Sequence, residues 1–249
     1  MFRMQKKNKK EAETDIIHHV PVGRTGLSRI EEELLVARSQ EEDEIESWRV
    51  FKIIAELVSG FELLRHYDLA VTVFGSSRCE AGNDVYENAE ALAAKLAHAG
   101  FAVITGGAHG VMQAANKGAK EAGGESVGLN IKLPSAQQAN SFTTDGQEFN
   151  YFFTRKVMLA FASEVYIFFP GGFGTLDEFF EILTLVQTKK VKPVPIILIG
   201  TEYWRPLIEW FLHTLRDRYH TISAEDMLIY DLVDSVDEAM EVITKRVRL

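Results

Sequence analysis

The spacing of hydrophobic residues changes near residue 69, from a helical period to short continuous runs. Before that point, a helix over residues 42–65 is predicted by apolar residues at helical spacing, namely Trp48, Phe51, Ile54, Ala55, Val58 and Phe61. Its wide apolar face covers either the core of its own domain or a partner subunit. Residues 1–40 are polar and charge-rich, and we expect them to form a disordered tail.

From residue 69 onward, short apolar runs alternate with helical patterns. The runs span residues 69–75, 101–107, 126–131, 164–171 and 194–200, and the helical patterns lie near 84–99, 109–122, 154–163, 175–189 and 203–217. The runs are nearly continuous in apolar residues, as strands covered on both faces are. This alternation is typical of βαβ units. We therefore predict an α/β fold with a doubly wound parallel sheet and an N-terminal helical extension.

Two segments lie outside this alternation. Residues 132–153 are rich in Pro, Ser, Gln, Asn and Thr and lack a clear period, which favours a long functional loop. Residues 225–249 are predicted to form a short strand at 227–233 and a closing helix from Val236. With 249 residues in all, one domain over residues 41–249, including the helix at 42–65, is the simplest organisation.

Charge and composition exclude several classes of function. A net charge of −9 argues against general binding to nucleic acid, and the Lys6 to Lys10 cluster is interpreted as a solvated tail. No apolar run approaches the roughly 20 residues that span a bilayer, so neither a membrane nor a secretory signal is expected, and we expect a cytoplasmic protein. The single cysteine, Cys79, and the scattered histidines give no metal-ligand spacing. We predict no metal and no cofactor.

Glycine-rich turns follow three of the predicted strands. They contain Gly75 and Ser76; Gly106, Gly107 and Gly110; and Gly171, Gly172, Gly174 and Thr175. Carboxyl ends of parallel strands share one edge of the sheet, where ligands bind. Two of the turns lead directly into a helix, whose N-terminal N–H groups and dipole favour an anion. We therefore predict a phosphate-binding edge.

The turns do not match the common nucleotide motifs. No G-x-x-x-x-G-K-[ST] occurs, which excludes a P-loop ATPase, and no G-x-G-x-x-G follows the first strand with an acidic residue about 20 positions on. An NAD-type dehydrogenase is therefore disfavoured. The turns suit a nucleoside monophosphate better than a dinucleotide.

Three motifs, in order along the chain, resemble those of the LONELY GUY family. They are GGAHGVMQAANKGA, the Arg155-Lys156 pair in FFTRKVMLA, and PGGFGTLDE. The resemblance covers residues 69–215, and the LNIKLP stretch and the N-terminal extension are similar to the longer bacterial branch. Members are cytokinin riboside 5'-monophosphate phosphoribohydrolases, once mislabelled as lysine decarboxylases. The resemblance implies a Rossmann-like fold, a homodimer or larger homo-oligomer, and hydrolysis of an adenine-type nucleoside 5'-monophosphate to free base and ribose 5-phosphate.

The resemblance also implies roles for particular residues. The motif arginine and glutamate fall on Arg155 and Glu178, which are the implied catalytic pair. Substrate-binding residues are expected to be Gly75, Ser76, Gly106, Gly107, Gly110, Met112, Lys156, Gly171, Gly172, Gly174, Thr175 and Thr184. Plant relatives usually read PGGYGTLEE, so Phe173 and Asp177 replace Tyr and Glu here, which bears on substrate preference. The substrate is either AMP or an N6-prenylated nucleotide.

Each functional interpretation has a structural alternative. Thr175 and Glu178 have the [ST]-x-x-E spacing of a capping box, in which they would only close the start of a helix. Arg155 would serve equally well in a surface salt bridge. Met112 fits either a slot for the base or the core, and His109 fits a packing or capping role. A carrier that binds a nucleotide or molybdenum cofactor without turnover is the alternative function, since such carriers resemble this chain in the PGGxGT turn.

Overall fold

The computed structural model describes residues 46–133 and 139–247 of the chain. Two units divide the chain, residues 1–52 and residues 53–249. Of the first unit the structure describes residues 46–52, which begin helix α1 (Glu46–Leu64). The predictions for the tail at 1–40, for the Lys6 to Lys10 cluster and for residues 42–45 fall outside the described residues. The assignment of a single domain to residues 41–249 stays a prediction.

The second unit is built on a sheet of seven parallel strands in the order β4-β3-β2-β1-β5-β6-β7. The strands are β1 (Ala70–Phe74), β2 (Ala102–Thr105), β3 (Ser126–Ile131), β4 (Asp145–Phe149), β5 (Val165–Phe168), β6 (Ile196–Ile199) and β7 (Tyr230–Val233). Strand β1 pairs with β2 on one side and with β5 on the other. Because the chain order reverses between β1 and β5, a ligand crevice is expected at the carboxyl ends of these two strands.

Helices cover both faces of the sheet. After α1 they are α2 (Asp84–His98), α3 (Val111–Glu121), α4 (Phe152–Phe161), α5 (Phe173–Gln187), α6 (Thr201–Trp210) and α7 (Val236–Arg246). Alternate residues of β1 enter different cores: Ala70 and Phe74 pack with α1, α4, α5 and α6, whereas Val71 and Val73 pack with α2, α3 and α7. The predicted Rossmann-like, doubly wound parallel sheet with an N-terminal helix is confirmed.

The prediction of a long loop over residues 132–153 is wrong in part. Residues Asp145–Phe149 form β4, which pairs in parallel with β3. Strand β4 lies at the edge of the sheet and is mostly exposed, so it needs no apolar run. Its polar sequence, DGQEF, therefore contains no hydrophobic pattern from which a strand could be predicted.

Two further segments differ from the prediction. The helix expected at 203–217 begins at Thr201 and continues beyond Trp210 as a π-helix over Phe211–Arg218. The segment before β7 forms a short 3₁₀-helix at Glu225–Leu228, where the beginning of a strand was expected. Strand β7 itself and the closing helix from Val236 are confirmed.

The close packing of α2 against α3 gives a test of the fold. Gly118 of α3 is buried, and a Cβ at this position would overlap the carbonyl oxygen of Glu90 on α2. Within most helices Gly→Ala stabilises by about 1 kcal/mol. Here we expect Gly118→Ala to lower the free energy of unfolding by about 1 to 3 kcal/mol, because the two backbones must separate.

Urea unfolding would measure this change. The control is Glu121→Ala on the same helix, where the side chain is exposed and the expected change is within about 0.5 kcal/mol. A gain in stability for Gly118→Ala would contradict the packing of the two helices.

Candidate active site

A cavity of about 930 Å³ opens at the carboxyl ends of β1, β2 and β5. The turns after these strands form much of its wall. Of the predicted site residues, the structure brings together Gly75, Ser76, Gly106, Met112, Arg155, Gly171, Gly172, Gly174, Thr175 and Glu178. The volume lies within the range of roughly 300 to 1,000 Å³ that small-molecule sites occupy.

The turn between β5 and α5 is not closed by a capping box. Helix α5 begins at Phe173, its N-cap is Gly172, and no side chain caps it. Thr175 and Glu178 thus lie inside the helix, and the capping-box interpretation of these two residues is wrong. The helix begins earlier than the spacing suggested, with Gly172 in an extended backbone conformation as its N-cap. The N–H groups of the first helical turn consequently face no side-chain acceptor from a cap and remain available to a ligand.

Glu178 is a buried carboxyl group in the wall of this cavity. The residue is 6% exposed, and its Oε2 has no hydrogen-bond partner among the described residues. Burial raises the pKa of Glu178 to about 7, and the nearby charges of Lys156, Glu181, Arg155 and Asp177 modulate this value. A carboxyl group with such a pKa exchanges a proton near neutral pH, which is a property of groups that act in proton transfer.

Arg155 lies on α4, and its guanidinium borders the cavity. Nε donates a hydrogen bond of 2.7 Å to the carbonyl oxygen of Leu129 at the end of β3. Nη2 lies against Gly106, where a Cβ would overlap it. Burial lowers the pKa of Arg155, and the charge of Glu178 opposes this change. Arg155 is therefore a half-buried cation held by a backbone carbonyl, and the alternative of a surface salt bridge is wrong.

Lys156, the neighbour of Arg155, does not line the cavity. Its Nζ lies 2.7 Å from Asp177 Oδ2 and 3.3 Å from Glu181 Oε2, so it links α4 to α5. Its positive charge lowers the pKa of Glu178. Lys156 acts on the site through electrostatics rather than by contact with the cavity. Glu181 is thus an ion-paired residue of α5.

The turn after β2 is held by its backbone and by a buried polar network. Gly107 and Gly110 do not line this cavity; both have positive φ, and a Cβ on Gly110 would overlap Ser76 O. Asn140 donates from its backbone N to Gly107 O and from Nδ2 to Ala108 O, at 2.9 Å each. Asn116 accepts hydrogen bonds from Thr105 and Asn140. These glycines and asparagines fix the wall of the cavity.

Two other residues that the sequence singled out lie away from the main cavity. Thr184 is exposed on α5 and donates to Phe180 O at 2.7 Å. His109 is exposed, its Nδ1 lies 3.3 Å from Gln113 Oε1, and it borders a smaller cavity of about 340 Å³. A role for Thr184 in binding substrate stays a prediction.

Sequence reasoning missed several residues of the cavity wall. Among them are Arg78, Asn130, Phe152 and Tyr203. Asn130 had a usable signal, because it is a polar residue near the end of an otherwise apolar strand. Tyr203 had none: it comes from α6, and its hydroxyl donates to Gly171 O across a separation of 32 residues.

Within residues 46–133 and 139–247, no three His, Cys, Asp or Glu side chains gather closely enough to hold a metal ion. Within the same ranges, no helix combines the length and apolarity needed to cross a bilayer.

The raised pKa of Glu178 predicts a stability that depends on pH. The folded-state pKa of about 7 exceeds the ordinary value of 4.5, so this group favours folding below pH 4.5, and the contribution is lost as pH rises through 7. A glutamine cannot ionise. We expect Glu178→Gln to raise the free energy of unfolding by roughly 2 kcal/mol at pH 8 and to change it little at pH 4.5.

Chemical unfolding at the two pH values measures this difference. Glu209→Gln is the control, because Glu209 is exposed on α6 and its replacement should have the same small effect at both values. An equal effect of Glu178→Gln at pH 4.5 and pH 8 would show that the carboxyl group is not buried as described.

Comparison with known proteins places the chain in a family. Residues 112–243 match the family model described as "Possible lysine decarboxylase". A cytokinin riboside 5'-monophosphate phosphoribohydrolase from Rhodococcoides fascians is 28% identical over 163 residues, which cover 64% of this chain and 82% of the relative. Another protein of that name, from Mycobacterium marinum, is 26% identical over 160 residues, which cover 64% of this chain and 84% of the relative.

A solved structure shares the fold. The molybdenum cofactor carrier protein from Chlamydomonas reinhardtii superposes with a TM-score of 0.53 at 22% identity, covering 71% of this chain and 96% of the carrier. At that identity the likeness concerns the fold alone. The family model, by contrast, spans more than half of the 249 residues. This chain belongs to the LONELY GUY family, whose model carries the description "Possible lysine decarboxylase".

Proposed function

We propose that this protein is a phosphoribohydrolase that cleaves the N-glycosidic bond of an adenine-type nucleoside 5'-monophosphate. Water adds its hydroxyl group to the anomeric carbon of the ribose, the bond to the base nitrogen breaks, and the proton ends on the departing base. The products are free base and ribose 5-phosphate. The observation that carries the proposal is the buried Glu178 carboxyl group, with a pKa of about 7, one turn beyond an open helix N-terminus.

The phosphate of the substrate would bind at the first turn of α5. Gly172 and Gly174 line the cavity and have no neighbour within 4 Å of an added Cβ, so space lies beside the backbone N–H groups there. A helix N-terminus favours an anion through its free N–H groups and its dipole. Thr175 adds a hydroxyl group in the same turn. This placement leaves the sugar near Glu178, one helical turn further on.

Glu178 would act on the ribose as a carboxylate. Cleavage develops positive charge on the sugar, which a nearby carboxylate stabilises, and the same group takes the proton of the attacking water. A pKa of about 7 suits both roles, because the group is partly ionised at neutral pH and accepts a proton readily. The unpartnered Oε2 supports this role, since no described protein donor competes for that oxygen.

Arg155 would supply the positive charge of the site. Its Nε is occupied by Leu129 O, while Nη2 lies near the turn of Gly106 at the cavity wall. A guanidinium so held can neutralise the substrate or orient Glu178. Met112, Leu159 and Ile131 offer an apolar wall against which a base could pack.

A homodimer or a larger homo-oligomer forms part of the proposal. Ile54, Val58 and Phe61 are at least 49% exposed along one side of α1. A second copy of the chain would bury such residues. Size-exclusion chromatography with light scattering would detect the assembly, and a monomer at micromolar concentration would contradict it.

The activity can be tested by the release of free base. The pure protein is incubated with AMP, GMP, CMP and isopentenyladenosine monophosphate, and the base is quantified by chromatography. We expect release from the adenine-type nucleotides, and the comparison of AMP with the prenylated nucleotide identifies the better substrate. Binding of a nucleotide without release of any base would favour the carrier function instead.

The role of Glu178 can be tested in the same assay. We expect Glu178→Gln to fold and to lose about 100- to 10,000-fold in rate, because the neutral amide neither stabilises the sugar cation nor accepts a proton. The matched control, Glu209→Gln, should retain the wild-type rate. Turnover by Glu178→Gln at the wild-type level would disprove the catalytic assignment.

The pH dependence of the reaction gives an independent test. If the carboxylate form of Glu178 is active, kcat/KM should rise with pH through about 7. Lys156 lowers the pKa of Glu178 and Glu181 raises it. Accordingly, Lys156→Met should shift the ascending limb to higher pH, and Glu181→Gln should shift it to lower pH.

Steady-state rates between pH 5 and pH 9 would show these shifts. Lys190→Met replaces an exposed lysine beyond the end of α5 and should leave the limb in place. A limb that does not move in either charge variant would show that its pKa belongs to another group.

A further inference from the structure

Helix α4, which carries Arg155, has no local cap. Its N-cap residue is Tyr151, no side-chain cap bond is made there, and the first turn contains no acidic residue. The first N–H groups of a helix need acceptors, and a negative charge near them is favourable. Where both are lacking locally, these N–H groups are satisfied by water, by a ligand or by another part of the fold.

Glu56 of α1 brings a carboxylate to the start of α4 from a distant part of the chain. Its carboxylate accepts hydrogen bonds from Asn150 N at 2.7 Å, Asn150 Nδ2 at 2.8 Å, Tyr151 N at 3.4 Å and Thr154 Oγ1 at 2.6 Å. Glu56 is 8% exposed, and Thr154 is fully buried. A buried carboxylate from outside the helix therefore binds the N-cap N–H, the residue before it and the hydroxyl group of Thr154 in the first turn of α4.

Helix α1 is fixed in a position that allows this contact. One turn after Glu56, a Cβ on Gly60 would overlap the Met158 side chain, at 2.5 Å from Sδ. Helix α1 therefore approaches α4 closely there. On the other side, Gln147 Nε2 donates to Glu56 O at 3.2 Å and to Ser59 Oγ at 2.8 Å. The two ends of the β4–α4 connection are thus tied to α1.

The contact lies directly beside the arginine of the site. Thr154, which donates to Glu56, precedes Arg155 in the first turn, and Arg155 N donates to Tyr151 O at 3.3 Å. The same turn thus fixes the direction in which the Arg155 side chain leaves the helix toward Leu129 O and Gly106. We propose that Glu56 is a positioning residue for Arg155, which it holds in the cavity by capping α4. This inference rests on the proposed function.

The Glu56 carboxyl group stays ionised although it is buried. Burial opposes ionisation, but the hydrogen bonds from Thr154, Asn150 and Tyr151 outweigh it and lower the pKa below the ordinary value. Glu56 therefore stays a carboxylate throughout the range in which Glu178 titrates. Its capping of α4 does not vary with pH in that range.

The test replaces the carboxylate by an amide of the same shape. In Glu56→Gln the amide NH₂ group faces hydrogen-bond donors and cannot accept their bonds. We therefore expect kcat/KM for AMP to fall by about 10- to 100-fold, measured at a temperature where the variant is folded. Since Arg155 lowers the pKa of Glu178, its displacement should also shift the ascending pH limb upward. Glu62→Gln is the matched control, because Glu62 is exposed on the same helix and pairs with Arg65.

A double-mutant cycle separates positioning from general stability. In an Arg155→Ala background, Glu56→Gln should cause almost no further loss of kcat/KM, because the arginine it positions is absent. An equal loss in both backgrounds, or a Glu56→Gln variant that behaves like Glu62→Gln, would overturn the inference. Glu56→Asp, which keeps the charge on a shorter side chain, is judged by the same criteria if Glu56→Gln does not fold.

A crystal structure of the Glu56→Gln variant tests the positioning role independently of the proposed function. If the wild type releases no base from AMP, the proposed function fails, and the position of Arg155 in the Glu56→Gln crystal decides the inference. Loss of the bond from Arg155 Nε to Leu129 O supports the positioning role. An unchanged bond overturns it.

Discussion

The site depends on the parallel pairing of β1 with β2 on one side and β5 on the other. This pairing places the turns that follow the three strands at one edge, where backbone and side chains meet around a single cavity. Hydrogen bonds join the turns directly: Ser76 N donates to Pro170 O at 3.0 Å, and Val111 N donates to Ser76 O at 2.9 Å. The turn after β1 thus bridges the turns on either side of it, and the glycines allow the close approach.

The buried carboxyl group of the site lowers the stability of the folded protein. A carboxyl group that is buried without a described partner disfavours folding once it ionises, and Glu178 is such a group. The nearby cations limit this cost, since Lys156 and Arg155 both lower the pKa that burial raises, whereas the charges of Glu181 and Asp177 add to it. A residue serving only the fold would gain from a neutral side chain. Retention of an ionisable group here is consistent with a chemical role, because perturbed pKa values cluster at functional sites.

Much of the fold could be predicted from sequence because buried parallel strands are nearly continuous in apolar residues. The runs that contain β1, β2, β3, β5 and β6 were located this way, and the alternation with helices indicated the doubly wound sheet. Strand β4 was not predicted, because an exposed edge strand needs no apolar pattern. The start of α5 was misplaced because Thr175 and Glu178 satisfy a local capping pattern, whereas the helix begins at Phe173 with Gly172 as its N-cap.

The site was predictable where its residues belong to turns and motifs, as with Gly171, Arg155 and Glu178. It was not predictable where a side chain acts across the fold. Glu56 contacts Asn150 and Thr154 over a separation of 94 or more residues, and no spacing within the chain signals such a contact. The pKa of Glu178 was equally hidden, since burial is a tertiary property.

The central claim is that the open start of α5 binds phosphate and presents the sugar to Glu178. The most direct measurement is a crystal structure of the protein with ribose 5-phosphate bound. We expect the phosphate at the backbone N–H groups of Phe173, Gly174 and Thr175, with the anomeric carbon facing the Glu178 carboxyl group. A phosphate bound elsewhere in the cavity, with Glu178 out of reach of the sugar, would contradict the account.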